Sequence, residues 1–179
     1  MLCYTIGQTL CLSPEFEIYT LCLLSCNNVI WCNILGLSPD SVKVLLIQKS
    51  VIRTMIGGGR RDSCRTLLQE LGILTLPSQY IFCILLFVVK NSKLFSVNKD
   101  LHLINTRQQS NLHQPLAHLQ KYQLGPYNMG IKLFNILPAS IKDESHNPPR
   151  FRSPLKKLLL ETTLYSLDEF FSIRKSMKS

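Results

Sequence analysis

The sequence predicts a mainly α-helical protein: a small helical domain with a long irregular connection and a C-terminal helix. Three observations predict it. From residue 39 onward apolar residues recur at helical spacing, with glycine and proline where helices stop and start. The run "YIFCILLFVV" at 80–89 is apolar all round, the pattern of a helix enclosed by others. Residues 91–130 are polar and broken by Pro115 and Pro126, the pattern of a connection across a surface.

Each element has its own signals. "SPDSVKVLLIQKSVIRTMIGGG" opens on the capping chemistry of Ser38, Pro39 and Asp40 and stops at glycine. Within it Val44, Leu45, Val51, Ile52, Met55 and Ile56 form the apolar set, and Lys43, Lys49 and Arg53 take other positions. A second helix is expected from Asp62 or Ser63 to Leu71, with Gly72 just past its end, where a left-handed residue is tolerated. A third begins at Pro77, suited to a first helical turn, and carries the apolar run. After the connection, "GIKLFNILPASIK" gives a short helix ending before Pro138. "ESHNPPRFRSP", 144–154, has three prolines among polar and basic residues and is expected to be a linker. The last helix is expected from Pro154, with Leu155, Leu158, Leu159, Tyr165 and Phe170 as its apolar set and a basic tail. The expected organisation is an apolar Cys-rich segment at 1–38, a helical domain at 39–143, the linker at 144–154, and a C-terminal helix and tail at 155–179. No internal repeat is present.

Charge divides the chain. Residues 1–42 hold no Lys or Arg, only Glu15, Glu17 and Asp40. All 20 basic residues lie from Lys43 onward, against 8 acidic ones, a net of +12 for that part and +9 for the chain. Such a body is drawn to polyanions, nucleic acid first among them; the plainer alternative is a solvated basic surface.

The first 42 residues also hold Cys3, Cys11, Cys22, Cys26 and Cys32, five of the seven cysteines. Cys22 and Cys26 are spaced C-x3-C with no His nearby to complete a zinc set, and the odd total argues against a disulfide framework. Reduced thiols in an intracellular protein, cytoplasmic or nuclear, are expected. A signal peptide needs a basic start, and none is present. Residues 18–37, "IYTLCLLSCNNVIWCNILGL", are long enough to cross a bilayer, but Asn27, Asn28 and Asn33 sit inside the run. A soluble chain is expected, with a membrane helix at 18–37 as the alternative.

The stretch "IGGGRRDSCR", 56–65, combines glycines with arginines as phosphate-binding loops do. A P-loop, however, needs a lysine and a hydroxyl after its last glycine, and Gly59 is followed by Arg60 and Arg61. A dinucleotide fingerprint needs G-x-G-x-x-G after a strand, and these glycines follow a helix. They are expected to stop one helix and hinge to the next. Arg60, Arg61 and Arg65 would then lie at the start of that next helix, either contacting phosphate or merely solvated. Catalytic patterns are lacking. His102, His113 and His118 match no zinc spacing, and the acidic residues are scattered, with Asp143–Glu144 an adjacent pair beside the Pro-rich stretch. No metal or cofactor is expected.

Five stretches in series carry a resemblance. "LIQKSVIRTMIGGG" matches a "LQK-aIRii-g" helix, and "RDSCRTLLQELGILTLPSQYIFCILLFVVKN" matches "RDSCR-LF-eLgILTLPs-YI" followed by "LLFvkkN". "LHLINTRQQSNLHQP" matches H-x2-NTR-x4-LH-P, "YNMGIKLFNILPASIK" matches "G-klyN-LP--ik", and "FRSPLKKLLLETTLYSLDEFF" is similar to "FK--LK-fLl---fYSv-EFl". Over residues 29–172 the chain resembles the region after the reverse transcriptase domain in jockey-like non-LTR retrotransposon polyproteins of arthropods. Full-length relatives join an endonuclease to an RNA-directed DNA polymerase, whose activity needs a carboxylate cluster with a Y-x-D-D motif. This chain has no adjacent aspartates. The resemblance therefore implies a truncated, non-catalytic C-terminal portion, not an enzyme. Its implied partners are template RNA or target DNA, held through Arg53, Arg60, Arg61, Arg65, Arg107 and Lys132, and the polymerase domain of the parent protein. The alternative is a scaffold that packed on that polymerase domain without touching nucleic acid.

Overall fold

A computed structural model describes residues 41–57, 59, 63–101, 111–116 and 118–176. The Cys-rich segment at 1–38 and the membrane-helix candidate at 18–37 lie outside the described residues. Within them the protein is mainly α-helical, with no strand beyond a single antiparallel bridge between Val97 and Leu112.

Helix α1 (Ser41–Ile56) buries Leu45, Gln48 and Ile52, one stripe at spacings of three and four. Gly57 ends it with φ +70°, a conformation that strains any residue carrying a Cβ. Helix α2 (Cys64–Glu70) is capped by Ser63, whose hydroxyl accepts from the Arg65 amide. It closes as the sequence predicts. Gly72 adopts φ +64°, its amide bonds to Gln69 O, and the Ile73 amide bonds to Leu68 O, the paired closure of a left-handed cap.

Helix α3 (Leu76–Lys90) carries the apolar run and is buried along nearly its whole length. Thr75, fully enclosed, caps it: its hydroxyl accepts from the Ser78 amide and donates to Leu164 O far along the chain. Among the described residues no helix is long and apolar enough to cross a membrane, α3 included. A buried amide, Gln48, fastens α1 to the head of α3. It donates to Leu74 O at 2.9 Å and accepts from the Leu76 amide at 3.2 Å.

The connection, expected over 91–130, ends at Gly125, and its described residues hold a 3-10 turn (Ser92–Leu94) and two single-turn helices, α4 (Asn98–Leu101) and α5 (Gln120–Gln123). Helix α6 (Pro126–Ile136) then starts at Pro126, four residues before the predicted Gly130, because Gly125 and Pro126 form its N-terminus. Asn135 on α6 grips Leu112 from both sides, accepting from its amide at 2.8 Å and donating to its carbonyl at 2.9 Å. So the "LH-P" and "N-LP" stretches meet in space.

Helix α7 (Ala139–Lys142) and a 3-10 turn (Asp143–His146) lead into helix α8 (Pro148–Thr162). This corrects the predicted linker at 144–154 and the predicted start at Pro154. Residues 143–146 are a 3-10 turn and 148–154 are helix. The physical reason is placement: Pro148 and Pro149 occupy the first turn, where a missing N–H leaves no bond unmade. Phe151, Leu155 and Leu159, four residues apart, are fully buried and tie α8 to the core. Only Pro154 lies inside the helix, removing the amide that would bond to Arg150 O. Thr163 ends α8 with φ 37°, and helix α9 (Leu167–Ser176) follows, anchored by buried Phe170.

The main core is α3 packed between α6 and α8. A smaller cluster joins α1 to α2 through Ile52, Cys64 and Leu68, with Tyr165 against it. Gly130 sets the spacing of α6 and α3, since a Cβ there would meet Val88 Cγ2 at 2.6 Å. Gly130→Ala is expected to cost about 1–3 kcal/mol through overpacking. Denaturant unfolding measures this, and an unchanged midpoint would mean that Val88 yields freely.

Candidate nucleic-acid interface

Two basic regions stand on the surface of this scaffold. The first is the corner where α1, α2 and the segment before α9 meet. Arg65, on the first turn of α2, directs Nη2 at both carboxylate oxygens of Glu169, 3.1 Å from Oε1 and 3.3 Å from Oε2. Its guanidinium also lies 4.6 Å from the centre of the Tyr165 ring, and Lys49 Nζ lies 3.4 Å from the same ring centre. Glu169 also caps a helix. Its Oε2 accepts from the Tyr165 amide at 2.9 Å, while the Glu169 amide donates to Ser166 Oγ at 3.2 Å. This is a variant of the reciprocal capping box, formed by Ser166 and Glu169 at the start of α9.

Electrostatics in the corner follow from crowding. Partial burial pulls the Lys49 ammonium below the usual lysine value, and neighbouring Arg53 and Arg65 add to that pull. Partial burial likewise raises the Tyr165 phenol above its ordinary value. Lys49, Arg65, Tyr165 and Glu169 each belong to one of the stretches that carry the resemblance, so three separate motifs converge here.

Of the predicted contact residues, Arg53 and Arg65 therefore share one corner. Lys132 sits on α6, half-buried, outside the set that meets at Tyr165. Arg60, Arg61 and Arg107 lie outside the described residues. Arg65 flanks a helix start as predicted, but as a tie between α2 and α9 it is not a freely solvated cation.

The second region is hidden from a reading of 144–154 as a linker. Burying Phe151, Leu155 and Leu159 turns the opposite side of α8 outward, and that side carries Arg150, Arg152, Ser153, Lys156 and Lys157, all exposed. Arg152, Ser153, Lys156 and Lys157 line an open groove of about 700 Å³, with Gln69 of α2 on its wall and Leu160 and Glu161 at one end. Gln69 Nε2 donates to Glu161 O at 2.9 Å and holds the wall to α8. Lys157 Nζ lies 4.0 Å from Glu161 Oε1, an exposed and therefore weak pair, and the Arg152 guanidinium lies 5.8 Å from the centre of the Phe82 ring. The signal is present in the sequence. The four-residue spacing of Phe151, Leu155 and Leu159 runs straight through Pro154.

Among the described residues no three His, Cys, Asp or Glu side chains come together as metal ligands. No model of a known protein family matches the chain, and neither a characterised protein nor a solved structure does so.

Proposed function

We propose that this chain is a non-catalytic, nucleic-acid-binding helical region of the kind that follows the polymerase in jockey-like retrotransposon proteins. In this reading it holds the sugar–phosphate backbone of RNA or DNA through the basic face of α8. The observation that carries the reading is the groove, where Arg152, Lys156 and Lys157 are exposed side by side with a hydroxyl and an amide. Guanidinium and ammonium groups at an open surface neutralise phosphates and release counterions, which gives affinity without reading bases. The net charge of +9 adds long-range attraction.

A second reading has its own observation. Arg65 is spent on Glu169 and Tyr165, and α1 exposes Val42 and Leu46, at 63% and 59%, on the face away from its buried stripe. A scaffold that packed on a polymerase domain would look like this, and it would bind no nucleic acid.

A salt titration separates the two. Fluorescence anisotropy with labelled duplex DNA and single-stranded RNA of unrelated sequences is expected to give similar affinities for every sequence. On duplex, log K should fall linearly with log salt at about −0.9 per neutralised phosphate. Absence of salt-dependent binding would favour the scaffold.

A further inference from the structure

We propose that the corner formed by Arg65, Lys49 and Tyr165 is a phosphate-binding site whose resident ligand in the free chain is the Glu169 carboxylate. A carboxylate approached by one guanidinium nitrogen through both oxygens occupies the place, and uses the donor, that a phosphate oxygen takes in an arginine site. The pair is open to solvent, with side-chain exposures of 45% for Arg65 and 39% for Glu169, so an anion reaches it without any helix moving. Exposed ion pairs of this type are weak and exchange readily. Lys49 adds a second positive charge over the same tyrosine ring.

The two oxygens of Glu169 are not equivalent. Oε1 accepts from Arg65 alone, whereas Oε2 accepts from Arg65 at 3.3 Å and, more closely, from the Tyr165 amide at 2.9 Å as part of the α9 cap. A phosphate takes over Arg65 while Oε2 stays on the cap and Phe170 stays in the core. The site thus adds a second anchor for a phosphate-bearing ligand, on a different set of elements from the α8 groove. It rests on the nucleic-acid reading only for the polymer that carries the phosphate; the chemistry at Arg65 stands apart from it.

The test uses the full chain and inorganic phosphate, followed through arginine Nε–Hε resonances by NMR, with chloride at matched ionic strength as the reference. In Glu169→Gln the amide oxygen keeps the Tyr165 cap, because glutamine serves at this position of a capping box, but the competing charge is gone. The Arg65 signal is expected to titrate with phosphate in both proteins, with half-saturation about two- to fivefold lower in the variant, the competition that an exposed ion pair supplies. Equal half-saturation in the two proteins, or no response beyond that to chloride, overturns the site. If E169Q loses its helical circular dichroism, the parent decides alone: phosphate must shift Arg65 more than chloride does, and equal shifts overturn it. The same titration in an Arg152→Ala, Lys156→Ala, Lys157→Ala background is expected to leave the Arg65 response intact. A chain that binds no oligonucleotide yet passes the phosphate test overturns the groove reading and keeps this one.

Discussion

Phe151→Ala is expected to lower the unfolding free energy by about 3–5 kcal/mol, a large share of what a domain of this size possesses. The ring has no exposure and belongs to the main core that α3, α6 and α8 build. Its own amide bonds to Asn147 O at 2.9 Å, so the residue is fixed at backbone and side chain alike. Truncation removes the buried ring and leaves a cavity, because α8 cannot close the gap while Leu155 and Leu159 hold it at the present distance. In a flexible 144–154 linker the same change would stay within about 0.5 kcal/mol of parent. Urea unfolding followed by circular dichroism measures the difference. The midpoint should fall with the slope unchanged, while Arg150→Ala, an exposed neighbour, should leave both in place. A Phe151→Ala midpoint equal to that of the parent would return the segment to a linker and dissolve the groove with it.

The legible parts of this fold are those decided by neighbours in sequence. Gly57 and Gly72 take the positive φ that a helix end requires, and Pro77 falls in the first turn of α3, so three helix boundaries are readable from single residues. The enclosure of α3 is readable because a run apolar on every side has only one favourable environment. The prolines mislead. Pro148, Pro149 and Pro154 read as linker composition, whereas the first two are pre-set for a helical turn and the third is outweighed by Phe151, Leu155 and Leu159. An interior proline opposes a helix by about 3 kcal/mol, less than the burial of those three side chains supplies. The corner is illegible for a different reason. Arg65 and Glu169 are 104 residues apart, and no local pattern announces that the start of α9 returns to the start of α2. Arginines that read alike in the sequence become unlike through such long-range partners: Arg65 gains a carboxylate and a tyrosine, while Arg152 lines an open groove with its guanidinium 5.8 Å from the centre of the Phe82 ring.

That contrast fixes what replacing the groove cations should do. The triple variant Arg152→Ala, Lys156→Ala, Lys157→Ala is expected to flatten the log–log salt slope on duplex DNA by up to about 2.7, three contacts at about 0.9 each, and by about 2.1 on single strands. Over a fourfold change in salt a slope difference of 2.7 corresponds to about 40-fold in affinity. Lys157 should contribute least, since Glu161 already stands 4.0 Å from its ammonium, and Arg152 most, since its planar fork matches a phosphate. The helix should survive, because all three side chains are exposed and alanine is a better helix former than either residue it replaces. The slope change should also be uniform across sequences, for these groups meet backbone and not base edges. Arg65→Ala makes the informative comparison. It removes at most one contact, about 0.9 on duplex, and it also breaks the tie to Glu169, so a loss of thermal stability accompanies it that the α8 variant does not show. If the triple variant leaves the slope unchanged while Arg65→Ala flattens it, the polymer lies on the α1–α2 corner and the α8 groove is a solvated face.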